Sequence, residues 1–351
     1  MHLNDHQDFS RLDTQNMLAG INNLPDQLDQ AWNLSLEQPL NLTEDINQVA
    51  IVGMGGSAIG ASLLQAYVAP YSSVPIFVNR DYTFPAWVKG KKTLVIASSH
   101  SGNTEETLSA FEDGLQKGCS VMGISTDGTL AERCREVEAP LWLFEHEGQP
   151  RAAVGFSFAL LLGVLYRLGL IPDPTSEIQD AVSAMRKEQE QLRAEVAVPA
   201  NPAKRYAGQL VDRWVSVFGA GLLAPVARRW KGQINELAKT WSQFEALPEA
   251  NHNTLAGVLN PADTLLKTMA LFLRAESNHP RNKRRIDLTK KHFMLEGLNT
   301  DFVNAAGESR LAQQWTTLHF GDYVAYYLAM LYEVDPTPVT AIDNLKAELE
   351  T

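Results

Sequence analysis

Two short runs set glycine beside hydroxyl side chains where an apolar stretch gives way to a helical pattern. GMGGSAIG, residues 53–60, follows Val49-Ala50-Ile51-Val52, and ASSHSGNTEET, residues 97–107, ends a second apolar run. Such a turn leaves backbone N–H groups at the positive end of a helix dipole, a setting that suits an anion. In the first run Gly55 and Gly56 allow close backbone approach and Ser57 adds a hydroxyl. In the second, Ser99, Ser101 and Thr104 place three hydroxyls around Gly102, and Glu105 and Glu106 suit a helix start. Capping a helix needs only one of these hydroxyls, so three around one glycine favour a phosphate cradle.

The type of phosphate is narrowed by what is missing. Gly53-Met54-Gly55-Gly56-Ser57-Ala58 matches the dinucleotide pattern G-x-G-x-x-[GA]. That reading also wants an acidic residue about 20 positions on, at the end of the second strand. Here the second strand ends at Asn79-Arg80, with Asp81 late. A nucleoside triphosphate loop is excluded, since no Gly-Lys-Ser/Thr follows the glycines. A hydroxyl-rich, lysine-free cradle suits a phosphomonoester held by many neutral donors.

The elements that must position these turns follow from apolar patterning. Strands are expected at residues 48–52, 74–79, 93–98, 120–125 and 141–144, with helices at 57–67 and 104–117 between them. Short apolar strands alternating with helices predict a parallel α/β sheet covered on both faces. Residues 1–45 read as a helical lead-in packed on the first domain, broken at Pro25 and Pro39. The first domain then spans 46–198, and Pro199-Ala200-Asn201-Pro202 marks the boundary to a second at 203–351. There a strand at 214–218 runs into Gly219-Ala220-Gly221, a poorer version of the first glycine turn, and residues 311–350 read as mainly helical.

Bulk properties exclude several classes. The 351 residues carry a net charge of −11, so no sequence-blind attraction to nucleic acid is expected. The basic run 281–285 reads as a solvated face or a loop near a helix end rather than as a nucleic-acid patch. Residues 156–171 are apolar but short and include Arg167, which predicts a buried helix rather than a membrane span. The first residues lack the basic and apolar regions of a secretory signal. Cys119 and Cys134 have no metal-ligand spacing, and the eight histidines form no HExxH pair. Reduced thiols, a cytoplasmic location and no metal are expected.

Further motifs carry a family resemblance. GMGGSAIG followed by SSHSGNTEET resembles the sugar isomerase (SIS) domain. GQPRAAVGFSFALLLGVL, RRWKGQINELAKTWSQFEALPEANHNTLAG and GDYVAYYLAMLYEVDPTPVTAIDNLK resemble the bifunctional phosphoglucose/phosphomannose isomerase family, from about residue 48 onward. The resemblance implies two SIS-type domains, each a parallel sheet flanked by helices in a flavodoxin-like three-layer sandwich. It implies aldose–ketose isomerisation of hexose 6-phosphates with neither metal nor nucleotide cofactor, in a homodimer.

By the same resemblance Glu236 is the base that moves a proton between C1 and C2, although a Glu beside Lys239 is ordinarily a helix-surface ion pair. His252, 16 residues on, matches the ring-opening histidine and reaches the neighbouring subunit's site; on its own it reads as a hydrogen-bonding turn residue. Arg151 matches an arginine that steadies the enediolate, against a plain salt bridge to Glu145 or Glu147. Lys346 matches a lysine near the ring oxygen but is otherwise an amphipathic-helix lysine. Gly55, Gly56, Ser57, Ser99, Ser101 and Thr104 match the phosphate contacts. His100 stands where the family usually has an aromatic or small residue; it either adds charge to the phosphate or faces solvent. Thr337 lines the pocket or caps the last helix. Glu236, His252, Arg151 and Lys346 together favour an enzyme over a silent phosphosugar-binding protein, which needs only the serine loops. An NAD(P)-dependent oxidoreductase is the third reading, and the end of the second strand disfavours it.

Overall fold

Residues 49–52 are buried without a break, and so is every residue of 93–98, as befits strands interior to a parallel sheet. The computed structural model describes residues 2–42 and 44–349. In chain order, α1 (Met17–Asn22) and α2 (Leu24–Glu37) precede β1 (Gln48–Val52), α3 (Gly55–Val68), β2 (Ile76–Asn79), β3 (Thr93–Ser98) and α4 (Glu105–Gln116). Then come β4 (Ser120–Ser125), α5 (Thr129–Glu136), β5 (Leu141–Leu143) and α6 (Val154–Arg167). The five strands form one parallel sheet in the order β2-β1-β3-β4-β5, with Ile51 level with Val78 on one side and Ile96 on the other.

This amino-terminal unit takes in Asn23–Ser183 and Gly307–Gln314. α6 is buried from Val154 to Leu165, as its uniformly apolar sequence requires. α2 packs against it, and Gln27 caps it from the side: Oε1 accepts from Gly155 N–H (2.7 Å) and Nε2 donates to Ala152 O (2.9 Å). Pro25 sits in the first turn of α2, where its missing N–H costs nothing, so it opens a helix rather than breaking one. Cys119 and Cys134 are buried free thiols.

The chain continues through α7 (Thr175–Leu192), α8 (Pro202–Leu210), β6 (Trp214–Ala220), α9 (Ala224–Leu237), β7 (Ser242–Leu247) and α10 (Ala262–Leu266). β8 (Thr268–Arg274), α11 (Pro280–Leu295), β9 (Asn299–Asn304), α12 (Arg310–Leu331) and α13 (Thr340–Leu349) complete it. A second parallel sheet has the order β7-β6-β8-β9. Gly221, after β6, has φ +50, the same value as Gly55 after β1, so the glycine turn recurs in backbone as well as in sequence.

The carboxy-terminal unit consists of the chain up to Asn22, Ala184–Ala306 and the chain from Trp315 onward. Contacts thus divide the expected lead-in: α2 belongs to the amino-terminal unit and packs on α6, whereas the residues before it belong to the carboxy-terminal unit. The cause is polar. Asp13 accepts from Met17 N–H (2.6 Å) and Leu18 N–H (3.0 Å), starting α1, and also from the Tyr326 hydroxyl of α12 (3.1 Å). Buried Lys204 donates to Leu3 O (2.7 Å), Ala194 O (2.6 Å) and Val196 O (2.9 Å), tying the first residues to α8. The stretch at 199–202 starts a helix: Asn201 Oδ1 accepts from Lys204 N–H (3.0 Å), with Pro202 in the first turn.

Candidate active site

In the amino-terminal unit both glycine turns open helices that no side chain caps. α3 starts after Met54, and α4 after Thr104, with no side-chain hydrogen bond at either cap. The first N–H groups of each helix therefore remain for an anion. Thr104 holds the capping position, yet its hydroxyl lies 2.9 Å from Ser99 Oγ instead. Ser99 Oγ also accepts from Gly102 N–H (3.1 Å), and Ser101 Oγ from Asn103 N–H (3.2 Å). Ser57 and Ser99 are buried and Ser101 is exposed, so the hydroxyls are presented at different depths.

Two glycines make this geometry possible. Gly102 has φ +70, and a Cβ there would fall 1.8 Å from Asp127 O, the carbonyl of the β4–α5 turn. A Cβ on Gly56 would meet Pro150 O at 2.5 Å. That close approach seats the turn Pro150–Ala152, and with it Arg151, against the first turn of α3. Arg151 is buried, and its Nη1 donates to Gln149 Oε1 (3.4 Å).

His100 is half-buried and pairs with a second histidine. Its Nε2 lies 3.0 Å from His146 Nδ1, and its ring meets Phe144 edge-on at 5.9 Å. Burial, then the neighbouring His146, pushes the His100 pKa down to about 4, and burial lowers His146 as well, so both rings are neutral near pH 7. His146 was not singled out from the sequence, because nothing in FEHEG marks it as a partner for a residue 46 positions away. At the end of β2, Asn79 donates to Asp81 O (2.8 Å), and Arg80 reaches Ala58 O (3.0 Å) on α3. An arginine over α3 leaves the dinucleotide requirement of an acid at that strand end unmet.

In the carboxy-terminal unit Glu236 is half-buried near the end of α9. It lines a cavity of about 640 Å³ together with Trp241, Asp335, Pro338, Val339 and Ile342, among others. That volume falls in the range of small-molecule sites. The wall is fixed on both sides. Asn235 Oδ1 accepts from Ser242 N–H (3.0 Å) and Oγ (2.6 Å), locking α9 to β7. Asp335 accepts from Thr14 Oγ1 (2.7 Å) and Thr337 N–H (2.9 Å). Thr337 is buried behind this wall and is not the cap of α13, which starts three residues later.

Lys346 is exposed on α13, one helical turn beyond the lining residue Ile342 and on the same face. His252 is exposed at the end of the 3₁₀ turn Glu249–His252 and does not line this cavity. The structure thus brings Gly55, Gly56, Ser57 and Arg151 to one helix start, and Ser99, Ser101 and Thr104 to another. It sets Glu236 on a cavity and leaves His252 projecting. Among the described residues no cluster of His, Cys, Asp and Glu is placed to hold a metal, and no helix is long and apolar enough to cross a membrane.

Comparison with known proteins adds a family. Residues 199–349 match the bacterial phospho-glucose isomerase C-terminal SIS domain. A bifunctional phosphoglucose/phosphomannose isomerase from Caldicellulosiruptor bescii is 40% identical, over 95% of this chain and 98% of its own. One from Aquifex aeolicus is 36% identical, over 86% of this chain and 90% of its own. Among solved structures, the C-terminal domain of glucosamine-fructose-6-phosphate aminotransferase from Francisella tularensis shares the fold. It has a TM-score of 0.71 at 15% identity, covering 92% of this chain and 98% of that one.

Proposed function

The chain belongs to the bifunctional phosphoglucose/phosphomannose isomerase family, and on that premise we propose that it interconverts glucose 6-phosphate and mannose 6-phosphate with fructose 6-phosphate. Its two α/β units are SIS-type domains. The observation that carries the reading is the Glu236 carboxylate on the wall of a cavity large enough for a hexose phosphate.

The reaction redistributes protons and needs no other reactant. His252 opens the sugar ring by moving a proton between the anomeric hydroxyl and O5, with Lys346 beside the ring oxygen. Glu236 takes a proton from C1 of the ketose, giving a cis-enediol, and returns it to C2 on the same face. A second proton passes between O2 and O1. The Arg151 guanidinium, fixed against α3, offsets the charge that gathers on the enediolate oxygens. Ser57, Ser99, Ser101 and Thr104, with the N–H groups at Gly55 and Gly56, hold the 6-phosphate. Rotation about the C2–C3 bond of the enediol turns one or the other face of C2 toward Glu236 and so yields the glucose or the mannose epimer.

The exposed position of His252 supports its use by a neighbouring subunit, so the working form is proposed to be a homodimer. A hexose-phosphate isomerase of this kind would act in the cytoplasm, in glycolysis and gluconeogenesis. The test is purified protein with fructose 6-phosphate in EDTA, following the two aldose phosphates separately, beside the Glu236→Gln variant. Both products are expected from the parent. The variant should bind fructose 6-phosphate unchanged and turn over about 100- to 10,000-fold more slowly. Binding without product in the parent would leave a silent phosphosugar-binding protein.

A further inference from the structure

His252 stands on a short turn, yet the residue before it is held at both ends. Asn251 Nδ2 donates to Thr289 Oγ1 (2.7 Å), and Asn251 Oδ1 accepts from Arg285 Nη1 (3.1 Å). Thr289 Oγ1 donates in turn to Arg285 O (2.7 Å), so the amide grips two residues one turn apart on α11. Thr289 is buried beneath this grip. On the other side, Asn253 donates to Glu249 Oε1 (3.1 Å) and accepts from Thr254 N–H (2.6 Å), which closes the turn on itself. Among the described residues no hydrogen bond reaches the His252 imidazole, so its place is set by the backbone on either side.

The same contacts change the reading of the basic run 281–285. Lys283 pairs with Glu276 (2.8 Å), Arg281 and Arg284 are exposed, and Arg285 turns back to the His252 turn. The run is thus not a uniform solvated face. One of its cations is used in packing the loop that carries a reactive group.

We propose that Asn251, Arg285 and Thr289 form a clamp that positions the His252 imidazole for ring opening. The inference rests on the isomerase reading and on the role of His252 in it. In that step the bond between the anomeric carbon and O5 breaks, a carbonyl forms at that carbon, the anomeric hydroxyl loses its proton and O5 gains one. Proton transfer needs hydrogen-bond contact, and a displacement of about 1 Å can cost on the order of 100-fold in rate. An imidazole on a short exposed turn meets that tolerance only if the turn is anchored to something rigid, and α11 supplies the anchor. Asn251, Arg285 and Thr289 are positioning residues; none acts on the sugar.

The experiment separates ring opening from isomerisation. Thr289→Val and Asn251→Ala are assayed on fructose 6-phosphate, and also on 5-deoxyfructose 6-phosphate. The analogue lacks O5, cannot close its ring, and reports Glu236 alone through solvent-deuterium exchange at C1. Turnover of fructose 6-phosphate should fall about 10- to 100-fold with KM steady, while analogue exchange stays within about twofold of the parent. Thr289→Ser, which keeps the hydroxyl, should restore turnover. Equal losses on both substrates would show a role in folding only and overturn the clamp, as would no loss on either. His252→Asn distinguishes the underlying reading. If it keeps full turnover, ring opening by His252 fails and the clamp with it. If it loses turnover while Thr289→Val and Asn251→Ala do not, only the clamp fails.

Discussion

The hydroxyl oxygens of Ser99 and Thr104 lie 2.9 Å apart, and Thr104 forgoes capping α4 to make that contact. The turn is therefore closed on itself by a neutral hydrogen bond, with the helix N–H groups still to be satisfied. A phosphate dianion arriving there replaces a neutral pair with charge-assisted bonds, which are about twice as strong. Ser99→Ala and Thr104→Val should each raise KM for fructose 6-phosphate about 10- to 100-fold, from the 1.5–3 kcal/mol typical of a hydrogen bond to a charged group, ~2 kcal/mol at the centre. Competition by inorganic phosphate should weaken by the same factor. Steady-state kinetics with phosphate as inhibitor reads both, and an unchanged KM would remove this turn from substrate binding.

Gly102 sets the shape of that turn, and it does so twice over. Its φ of +70 disfavours any side chain, and a Cβ would overlap the Asp127 carbonyl, which is backbone and cannot swing aside. Gly102→Ala should cost at least about 2 kcal/mol and drag the β4–α5 turn with it. Gly55→Ala is the control, because φ there is +50 but no atom lies within 4 Å of the added Cβ. It should cost only about 1–2 kcal/mol, the ordinary penalty of the left-handed conformation. Urea denaturation of the two variants measures the difference.

The helix that carries Glu236 is held by a buried ion pair. Arg229 Nη2 and Asp322 Oδ2 are 2.7 Å apart, Nε and Oδ1 3.2 Å, and each side chain is 3% exposed. Beside them Trp230 Nε1 donates to Thr317 O (2.9 Å), and Gly321 makes room for the Trp230 ring. Asp322→Ala removes the carboxylate from a buried guanidinium and should cost about 3–5 kcal/mol. Arg229→Met combined with Asp322→Leu removes both charges and should recover most of that loss. A double-mutant cycle by urea unfolding gives the coupling. Turnover should follow stability, because loosening α9 from α12 moves Glu236.

What could be read before folding depended on how much of the information was local. β1, β3 and β4 end where the sequence places them, since each is a continuous apolar run buried on both faces. β7, β8 and β9 are not among the expected strands: SQFEAL and NTDFVN are half-exposed and carry polar residues on both sides of any alternation, whereas TMALFLR of β8 is an almost wholly buried apolar run whose signal was there to read. The glycine turns and Glu236 stand in contiguous motifs, so their positions were legible. The partners that fix them were not. Arg285 meets Asn251 across 34 residues and His146 meets His100 across 46, and no periodicity links such pairs. The division of residues 1–45 was hidden for the same reason, since it turns on Asp13 reaching Tyr326.

Stability should fall on both sides of a narrow pH range, for opposite reasons. His319 is fully buried with Nε2 2.8 Å from Ile21 O, and burial pushes its pKa down to about 4, against some opposing help from that carbonyl and from Asp322. Its ordinary value is near 6.5, so between pH 6.5 and 4 the unfolded chain takes up a proton that the folded chain refuses. Folding then weakens as pH falls through that window, by up to about 3 kcal/mol for this one group. His100, also lowered to about 4, adds to the same limb. Glu188 has the opposite sign. Burial pushes its carboxyl up to about 8, and Oε2 is enclosed without a hydrogen-bond partner. The folded chain therefore holds a proton that the unfolded chain releases above about pH 4.5, and stability drains away as pH rises from there toward 8. His319→Gln, which keeps an N–H donor for Ile21 O, should flatten the acid limb. Glu188→Gln should flatten the alkaline one and exceed the parent in stability at pH 8. Urea unfolding at intervals from pH 4 to 9 measures both limbs. An unchanged acid slope in His319→Gln would assign that limb to His100, and an unchanged alkaline slope in Glu188→Gln would show that the carboxyl ionises without cost where it stands.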